Sequence, residues 1–249
     1  MTSIESLLHR RTDLSAFVVH FTRDYGGQTA RSNLEAILKE RSIEARNVFG
    51  MAEKLAAKHA EIAETQRVIC FTETPLEHAW MMCDPIEGRQ MSFNGYGLAF
   101  TRTFARRNQT NPVWYLDITP TGHDWLTNPV NRMVEAVAAV ADADPWDGPD
   151  EAAKADILRL TPFIEQMGPI RNGRRKEFWW EREWRRVGDL TFRYNDIVVV
   201  FAPEEEHSDF EELLKRQQKE TPPLVDARWG LERMIAALAG VDEPGPFPS

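Results

Sequence analysis

Residues 178–187 read Phe-Trp-Trp-Glu-Arg-Glu-Trp-Arg-Arg-Val, a stretch rich in aromatic and charged side chains. Aromatic and β-branched residues favour strands, so the sequence predicts one long strand over residues 180–192. In a strand, Glu181 and Glu183 would point to the same face, roughly 6.6–6.8 Å apart along the backbone. Two carboxylates among aromatic side chains are costly unless they are paired or used in chemistry.

Arg185 would lie on that same face, within reach of Glu183. One interpretation of the stretch is therefore an ordinary ion-pair ladder on the protein surface. The other is a pair of candidate catalytic carboxylates, Glu183 and Glu181. The residues alone leave both interpretations open.

The segment around His20 also combines an apolar strand with polar groups. The strand predicted over residues 17–22 is followed by a turn with two glycines and by a helix that begins at Ser32. A strand, a polar turn and a helix N-terminus together often bind phosphate-bearing ligands. His20, Thr22 and Arg23 are therefore candidate ligand-binding residues, although a lone histidine in a strand is more often structural.

Two further segments place polar groups at strand ends. Thr72 ends the strand predicted over residues 68–72, where it would either contact a ligand or cap the next helix. Tyr96 lies in the sequence Asn-Gly-Tyr-Gly. Glycines there allow close approach of the backbone, and the ring of Tyr96 is suited to stacking.

The predicted elements indicate an α+β protein with mixed or antiparallel sheets flanked by helices, because the strands cluster instead of alternating with helices. The predicted strands cover residues 17–22, 68–72, 96–100, 113–118, 180–192 and 197–202. A short N-terminal helix is predicted to end near Arg11, and a second helix is predicted to begin at Ser32. Further helices are predicted over residues 52–65, 130–141, 150–166, 208–220 and 226–238. Residues 144–149 form the clearest loop.

The length of 249 residues, 42% of them hydrophobic, suits one large domain. We expect a single α+β domain over residues 1–240 and a Pro-rich, disordered tail over residues 241–249. Two cysteines are too few for a disulfide framework and fit a reducing cytoplasm. We see no signal-peptide pattern and no apolar run of about 18 residues. The sequence thus predicts a cytoplasmic protein without a membrane segment.

The net charge of −9 argues against a general nucleic-acid coating protein. Residues 171–193 are the exception, with eight Lys or Arg residues against four acidic ones. This basic strip indicates either a phosphate-bearing ligand or a solvated charged face. The histidines and cysteines show no metal-ligand spacing, so we expect no metal site.

Five segments in order resemble the AbiGi family of abortive phage-resistance proteins. These segments are His20–Thr22, Asn33–Leu38, Cys70–Leu76, Tyr96–Phe100 and Glu181–Arg185. The resemblance implies a role in phage defence or a toxin–antitoxin system. It also implies a toxin or antitoxin partner protein.

A second resemblance is to ADP-ribosyltransferases such as the DarT toxins, and it implies an ADP-ribosyltransferase-like fold with NAD as the substrate. By that resemblance, Glu183 matches the catalytic glutamate that holds the nicotinamide ribose, and Glu181 matches the residue that orients the acceptor. His20 matches the residue that fixes the adenosine-side ribose. Tyr96 matches the aromatic residue that stacks on nicotinamide.

The resemblance departs from the family pattern at Thr72, since Phe71-Thr72-Glu73 replaces the usual Ser-Thr-Ser of the middle strand. Arg23 and Arg185 would supply cations for the pyrophosphate. Cleavage of the nicotinamide–ribose bond builds positive charge on the ribose, which a carboxylate stabilises.

Two functions follow as hypotheses. The first is an ADP-ribosyltransferase of phage defence or of a toxin–antitoxin system, which cleaves NAD and transfers ADP-ribose to an acceptor. The alternative is a non-catalytic antitoxin or sensor that acts through protein interactions. A nucleic-acid-binding module would instead require the basic strip to be one exposed, continuous patch.

Overall fold

The computed structural model describes residues 12–86, 93–119, 124–171, 174–217 and 221–241, and the side chains of all of these except 124–125, 169–171 and 174–176. The helix predicted to end near Arg11 lies outside the described residues. The predicted tail lies outside them from residue 242 onwards.

The described residues form an α+β fold of short strands and mostly short helices. The strands are β1 (Phe17–Phe21), β2 (Ser42–Ile43), β3 (Asn47–Val48), β4 (Arg67–Thr72), β5 (Gly97–Thr101), β6 (Asn111–Pro112), β7 (Trp114–Asp117), β8 (Ile164–Arg171), β9 (Arg174–Lys176), β10 (Glu183–Val187), β11 (Leu190–Thr191), β12 (Ile197–Phe201) and β13 (Leu224–Val225). The α-helices are α1 (Ala30–Glu40), α2 (Glu53–Ala56), α3 (Ala60–Gln66), α4 (Trp80–Cys83), α5 (Arg102–Arg107), α6 (Asp124–Ala143), α7 (Gly148–Ala153), α8 (Asp156–Leu160), α9 (His207–Gln217) and α10 (Leu231–Leu238).

The chain divides into two compact units, each built from separate pieces of sequence. Unit 1 contains residues 1–42, 71–105 and 191–249. Unit 2 contains residues 43–70 and 106–190. The expectation of a single domain over residues 1–240 stays a prediction.

In unit 1 the sheet is centred on β5, which pairs with β1 on one side and with β12 on the other, both antiparallel. β12 pairs in parallel with β13. Strand β12 therefore lies inside the sheet, as its continuous apolar sequence predicts. The combination of parallel and antiparallel pairs confirms the α+β class with mixed sheets, whereas the ADP-ribosyltransferase-like architecture stays a prediction.

Aromatic rings fill the core of unit 1 around Phe100, which is fully buried in β5. Its ring centroid lies 5.0 Å from that of Phe104 in a stacked arrangement, and 5.3 Å from that of Phe192 in an edge-on one. Phe71 approaches edge-on from 6.3 Å. Such offset and edge-on ring pairs add to the free energy gained from burying their area.

Unit 2 combines a helical core with short strands. Ile62, Val137, Ala141 and Leu158 are buried together where α3, α6 and α8 meet. The buried side chain of Gln66 donates to the Leu158 carbonyl at 2.8 Å and accepts from the Thr161 hydroxyl at 2.8 Å. These bonds satisfy a buried amide that would otherwise be costly. They also join the end of α3 to the turn after α8.

The strands of unit 2 that carry the charged residues form three pairs. β7 pairs in parallel with β8, and β8 pairs antiparallel with β9. β6 pairs antiparallel with β10. These pairs set the positions of the charged residues that the sequence singled out in β10.

The long strand predicted over residues 180–192 is wrong. Residues 179–181 form a 3-10 turn, Arg182 adopts a left-handed conformation with φ 49°, and β10 begins only at Glu183. The Trp180 indole donates to the Glu177 carbonyl at 3.1 Å and so favours the turn. Strand propensity is therefore overridden by local hydrogen bonds that close the chain on itself.

The predicted helix over residues 150–166 is also wrong. It is divided into α7 and α8, and a 3-10 turn at Thr161–Phe163 then leads into β8. Pro162 lacks the backbone N–H that would continue α8. The chain past this proline is therefore a strand, and it carries Glu165.

Other helix boundaries differ by a few residues. The helix predicted to open at Pro129 begins five residues earlier, at Asp124, and contains Pro129. The stretch 52–65 forms two helices, because His59 is extended between α2 and α3. The last helix begins at Leu231.

Gly97 permits the close approach of β5 to β1, as expected for a glycine next to Tyr96. A Cβ at position 97 would lie 2.6 Å from the backbone oxygen of His20. We expect Gly97→Ala to lower the free energy of unfolding by about 1–3 kcal/mol, because the clash involves backbone that cannot rotate away. Urea unfolding followed by tryptophan fluorescence measures the change.

The control for this prediction is Gly230→Ala, since a Cβ at position 230 meets nothing within 4 Å. Equal unfolding midpoints for the two alanine variants would contradict the importance of the close approach.

Candidate functional site

Strand β10 places Glu183 and Arg185 on one face, because residues two apart in a strand point the same way. Arg185 Nε donates to Glu183 Oε1 at 2.8 Å, and Nη2 donates to Glu183 Oε2 at 3.0 Å. This is a two-point guanidinium–carboxylate pair, which fixes the orientation of both groups. Glu181 does not share the strand, since it ends the preceding 3-10 turn.

A second carboxylate, Glu165 from β8, completes the arrangement. Arg185 Nη2 also donates to Glu165 Oε2 at 2.9 Å. Arg185 Nη1 donates to the backbone oxygen of Pro162 at 2.8 Å. All three guanidinium nitrogens thus have acceptors in unit 2.

The pair is not the surface ladder of the simpler interpretation, because the Arg185 side chain is only 3% exposed. Its guanidinium carbon lies 5.1 Å from the centroid of the Phe49 ring, which adds a cation–π contact. The side chains of Glu183 and Glu165 are 15% and 16% exposed. Both carboxylates therefore reach solvent only at their edges.

Tyr115 and Cys70 border the same carboxylate. The Tyr115 hydroxyl donates to Glu183 Oε2 across 3.4 Å, and β7 places Tyr115 beside Glu165. Burial raises the pKa of Tyr115 above its ordinary value, and the negative charge of Glu183 adds to the effect. Burial also raises the pKa of the Cys70 thiol well above its ordinary value, again with a contribution from Glu183.

We call these five residues, Arg185, Glu183, Glu165, Tyr115 and Cys70, the Arg185 cluster. Burial acts to lower the pKa of Arg185, but Glu183 and Glu165 outweigh it and hold this pKa above its usual value. The guanidinium therefore stays charged, and the tyrosine and the thiol stay protonated. Chemically, the cluster holds one carboxylate, that of Glu183, rigidly at the edge of solvent.

The candidate ligand-binding residues of unit 1 lie in and after β1. The His20 ring lies 5.7 Å from the Phe71 ring, at a tilt of 59°. The buried Thr22 hydroxyl donates to the Ala30 carbonyl at 2.8 Å. The guanidinium carbon of Arg23 lies 5.6 Å from the centroid of the Tyr25 ring.

The N-terminus of α1 already carries an anion supplied by the protein. The Asp24 carboxylate accepts the backbone N–H of Ala30 at 2.7 Å, and the Thr29 hydroxyl accepts that of Ser32 at 3.1 Å. These N–H groups are the ones that would otherwise bind a phosphate. A pyrophosphate at this helix would compete with Asp24 and Thr29 for these N–H groups, and the phosphate site stays a prediction.

Thr72 and Tyr96 also have partners within unit 1. The Thr72 and Thr74 hydroxyls lie 2.8 Å apart in a buried turn. The Tyr96 hydroxyl donates to Glu206 at 3.0 Å. Burial, with a contribution from Glu206, raises the pKa of Tyr96 to about 12. The predicted roles of His20, Thr22, Arg23, Thr72 and Tyr96 in binding NAD stay predictions.

The basic strip over residues 171–193 is not a continuous exposed patch where its side chains are described. Arg185 is buried, and Arg186 donates to the carbonyl oxygens of Asp189 and Asn108. The side chains of Arg171 and of residues 174–176 lie outside the described part of the chain. Among the described side chains of the strip, Arg185 and Arg186 are therefore engaged by the protein itself.

The AbiGi family, whose description reads "Putative abortive phage resistance protein AbiGi, antitoxin", matches residues 35–219. This chain belongs to the AbiGi family. The match spans both units and includes the Arg185 cluster. It begins after His20, so the strand that carries this histidine lies outside the matched region. No curated protein and no solved structure matches the chain.

No helix among the described residues is long and apolar enough to cross a membrane. No group of three His, Cys, Asp or Glu residues in the same part of the chain could hold a metal ion. A cytoplasmic location stays a prediction.

Sequence reasoning did not find Glu165, Tyr115 or Asp24. Glu165 was hidden in the predicted helix over residues 150–166, because Ile164, Glu165, Gln166 and Met167 lack the alternation of apolar and polar residues that indicates a strand. Tyr115 lay in a correctly predicted strand but carries no local signal of its partner. Asp24 precedes the helix by several residues, and its capping role depends on the turn between them.

We expect Arg185→Met to lower the free energy of unfolding by about 3–5 kcal/mol, because it leaves two half-buried carboxylates without their cation. Adding Glu165→Gln to this variant should recover part of the loss. Urea unfolding of the single and double variants measures both effects. Lys215→Met, which breaks an exposed pair with Glu211, is the control and should change stability by about 0.5 kcal/mol or less. A similarly small effect of Arg185→Met would show that the cluster is not a structural constraint.

We expect the stability of the protein to fall as the pH rises above about 8.5, the ordinary pKa of a thiol. The native state raises the pKa of Cys70 and so keeps its proton, whereas the unfolded state loses it. The free energy of unfolding then decreases by up to ~1.4 kcal/mol per pH unit for this group. Cys70→Ala should flatten the slope measured by urea unfolding between pH 8 and pH 10.

Cys83→Ala is the matched comparison, because burial raises the pKa of this second thiol to about 11. Cys83→Ala should also flatten the dependence of the free energy of unfolding on pH between pH 8 and pH 10, but it leaves the Arg185 cluster unchanged. A slope that neither variant alters would contradict the proposed origin of the pH dependence.

Proposed function

We propose that this AbiGi protein is the antitoxin of an abortive-infection pair and that it acts by binding a toxin protein, without a catalytic step of its own. The observation that carries the proposal is the closed hydrogen bonding of Arg185. The residue that would hold a pyrophosphate donates to Glu183, Glu165 and a backbone oxygen. The conspicuous Glu-Arg-Glu-Trp-Arg segment thus serves the stability of unit 2.

The N-terminus of α1 supports the same conclusion, since Asp24 occupies the position that a phosphate would take. The family description names an antitoxin, which implies a toxin as the partner. An antitoxin that binds its toxin needs a stable fold and a recognition surface, and neither requires a reactive pocket.

The test is growth rescue. The neighbouring open reading frame, expressed alone, should arrest growth as the first toxin candidate, and co-expression of this protein should restore it. Co-purification of the two chains would identify binding as the mechanism. Growth arrest that persists despite equal amounts of both proteins would reject the antitoxin assignment for this pair.

An NAD-dependent ADP-ribosyltransferase is the second candidate, and one observation favours it. Glu183 keeps its carboxylate at the edge of solvent in a fixed orientation. Such a group could stabilise positive charge on a ribose. This candidate further requires His20 and Glu183 to reach one ligand, and that requirement stays a prediction.

Labelled NAD separates the two candidates. The antitoxin proposal expects no nicotinamide release from the purified protein, alone or with its partner. The enzyme candidate expects release that Glu183→Gln lowers by about 100- to 1000-fold. Under it, His20→Ala would weaken NAD binding, and Glu181→Gln would weaken transfer but spare hydrolysis.

Glu165→Gln is the matched control, because it removes a carboxylate from the same cluster without touching Glu183. An equal loss of turnover in Glu165→Gln and Glu183→Gln would indicate damage to the fold instead of loss of a catalytic group. Nicotinamide release by the wild-type protein, abolished only by Glu183→Gln, would replace the antitoxin proposal with the enzyme.

A further inference from the structure

The long helix α6 of unit 2 is apolar on two of its faces. One face packs into the helical core through Val137 and Ala141, with Val134 and Ala138 beside them. A helix that supports a single core is normally polar on its other side. The other side of α6 is therefore the feature that needs an explanation.

Met133, Ala136, Val140 and Ala143 recur along α6 at the spacing i, i+3, i+7 and i+10, which places them on one face. All four are exposed, Met133 by 52% and Val140 by 44%. We call these residues, together with Ala139, the α6 apolar face. Small alanines on it would let the backbone of another helix approach closely.

Three residues after the last residue of the α6 apolar face is Trp146, which at 88% has the most exposed large apolar side chain among the described residues. Asp144 Oδ1 accepts the N–H of Trp146 at 2.9 Å and so shapes the turn that presents the ring. Gly148 allows α7 to start directly against the end of α6, since a Cβ there would lie 2.7 Å from the Ala141 oxygen.

A depression of about 430 Å³ lies between the end of α6 and the start of α7. It is lined by Ala139, Val140 and Ala143 together with Asp144, Asp147, Gly148 and Glu151. An apolar lining with a few charged groups is the usual composition of a site that accepts an apolar anchor.

The charges around this surface are mostly negative, although the exposed Arg132 lies on α6 one turn before Ala136. Residues 133–151 contain six carboxylates and no lysine or arginine. The partial negative charge at the C-terminal end of α6 has the same sign. Lys154 pairs with Glu151 and compensates part of this charge. A ligand that covers the surface must bring cations as well as apolar groups.

We propose that the α6 apolar face and Trp146 form the docking surface for the toxin partner, and that the docked element is a basic amphipathic helix. This inference rests on the proposed antitoxin function and names the recognition surface for it. A helix of 20 residues is about 30 Å long, which suits helix-on-helix recognition through anchors at i, i+3 or i+4 and i+7. Charge complementarity favours lysine and arginine beside those anchors. A second copy of this chain fits less well, because the six carboxylates of its own residues 133–151 would repel those of the first copy.

The probe is a fluorescein-labelled, 18-residue amphipathic peptide of leucine and lysine, with a leucine and glutamate peptide of the same pattern for comparison. Fluorescence anisotropy measures the affinity of each for the full chain. We expect the basic peptide to bind and the acidic one not to bind. The double variant Val140→Ser/Trp146→Ser should weaken binding at least tenfold, because it removes two apolar anchors without altering charge.

The matched control is Ile235→Ser/Leu238→Ser on α10, where the two apolar side chains are 49% and 41% exposed. These residues belong to unit 1 and are distant in sequence from residues 133–151. It should leave the affinity within twofold. Thermal unfolding monitors whether each variant is folded. Equal affinities for the two double variants would overturn the proposal, since attraction would then arise from net charge alone.

Sedimentation velocity tests the rival occupant. A wild-type dimer that Val140→Ser/Trp146→Ser converts to a monomer would assign the surface to a second copy and overturn the choice of a basic helix. The growth assay separates this inference from the proposed function. If Val140→Ser/Trp146→Ser still rescues growth, the docking surface is rejected and the antitoxin function is kept. If the wild-type protein does not rescue growth but binds the basic peptide through this surface, the antitoxin function is rejected and the docking surface is kept.

Discussion

A single buried guanidinium sets the arrangement of the strands in unit 2. Arg185 lies between two carboxylates and a backbone oxygen, and these acceptors come from β10, β8 and the turn at Pro162. Because the donors of a guanidinium lie in one plane at fixed angles, they hold the three segments in a defined geometry. Lysine has the same charge and three donors, but they radiate from one nitrogen and cannot form the planar two-point pair with Glu183.

This geometry also explains why a motif with catalytic appearance has a structural use. Two carboxylates among aromatic residues are costly when isolated, and the sequence suggests either chemistry or pairing. The structure supplies the pairing for Glu183, which shares the Arg185 cation with Glu165 of β8. The same need for compensation recurs in unit 1, where buried Glu73 pairs with Arg102 at 2.8 Å. In this protein, buried charge is mostly neutralised by its neighbours.

The sequence predicted the sheet of unit 1 well and parts of unit 2 poorly, for physical reasons. Strands β1, β4, β5 and β12 are apolar stretches bounded by polar residues, so their pattern is visible in a short window. The turn at residues 179–182 depends on an indole–carbonyl bond and on the left-handed backbone of Arg182, neither of which strand propensity reports. Glu165 escaped because the helical pattern before Pro162 was extended across the proline. The pairing of Glu183 with Arg185 was anticipated, whereas their burial depends on residues distant in sequence.

The division of the chain into two units has a consequence for how the protein is made. Unit 1 is assembled from three separated stretches and unit 2 from two, so neither corresponds to a continuous piece of the gene. Strand β12, the partner of β5, is synthesised about a hundred residues after it. At a translation rate of roughly 5–20 residues per second, the delay is on the order of ten seconds. During that interval an apolar strand edge has no partner and is open to wrong pairing. For the same reason, no single truncation separates the two units.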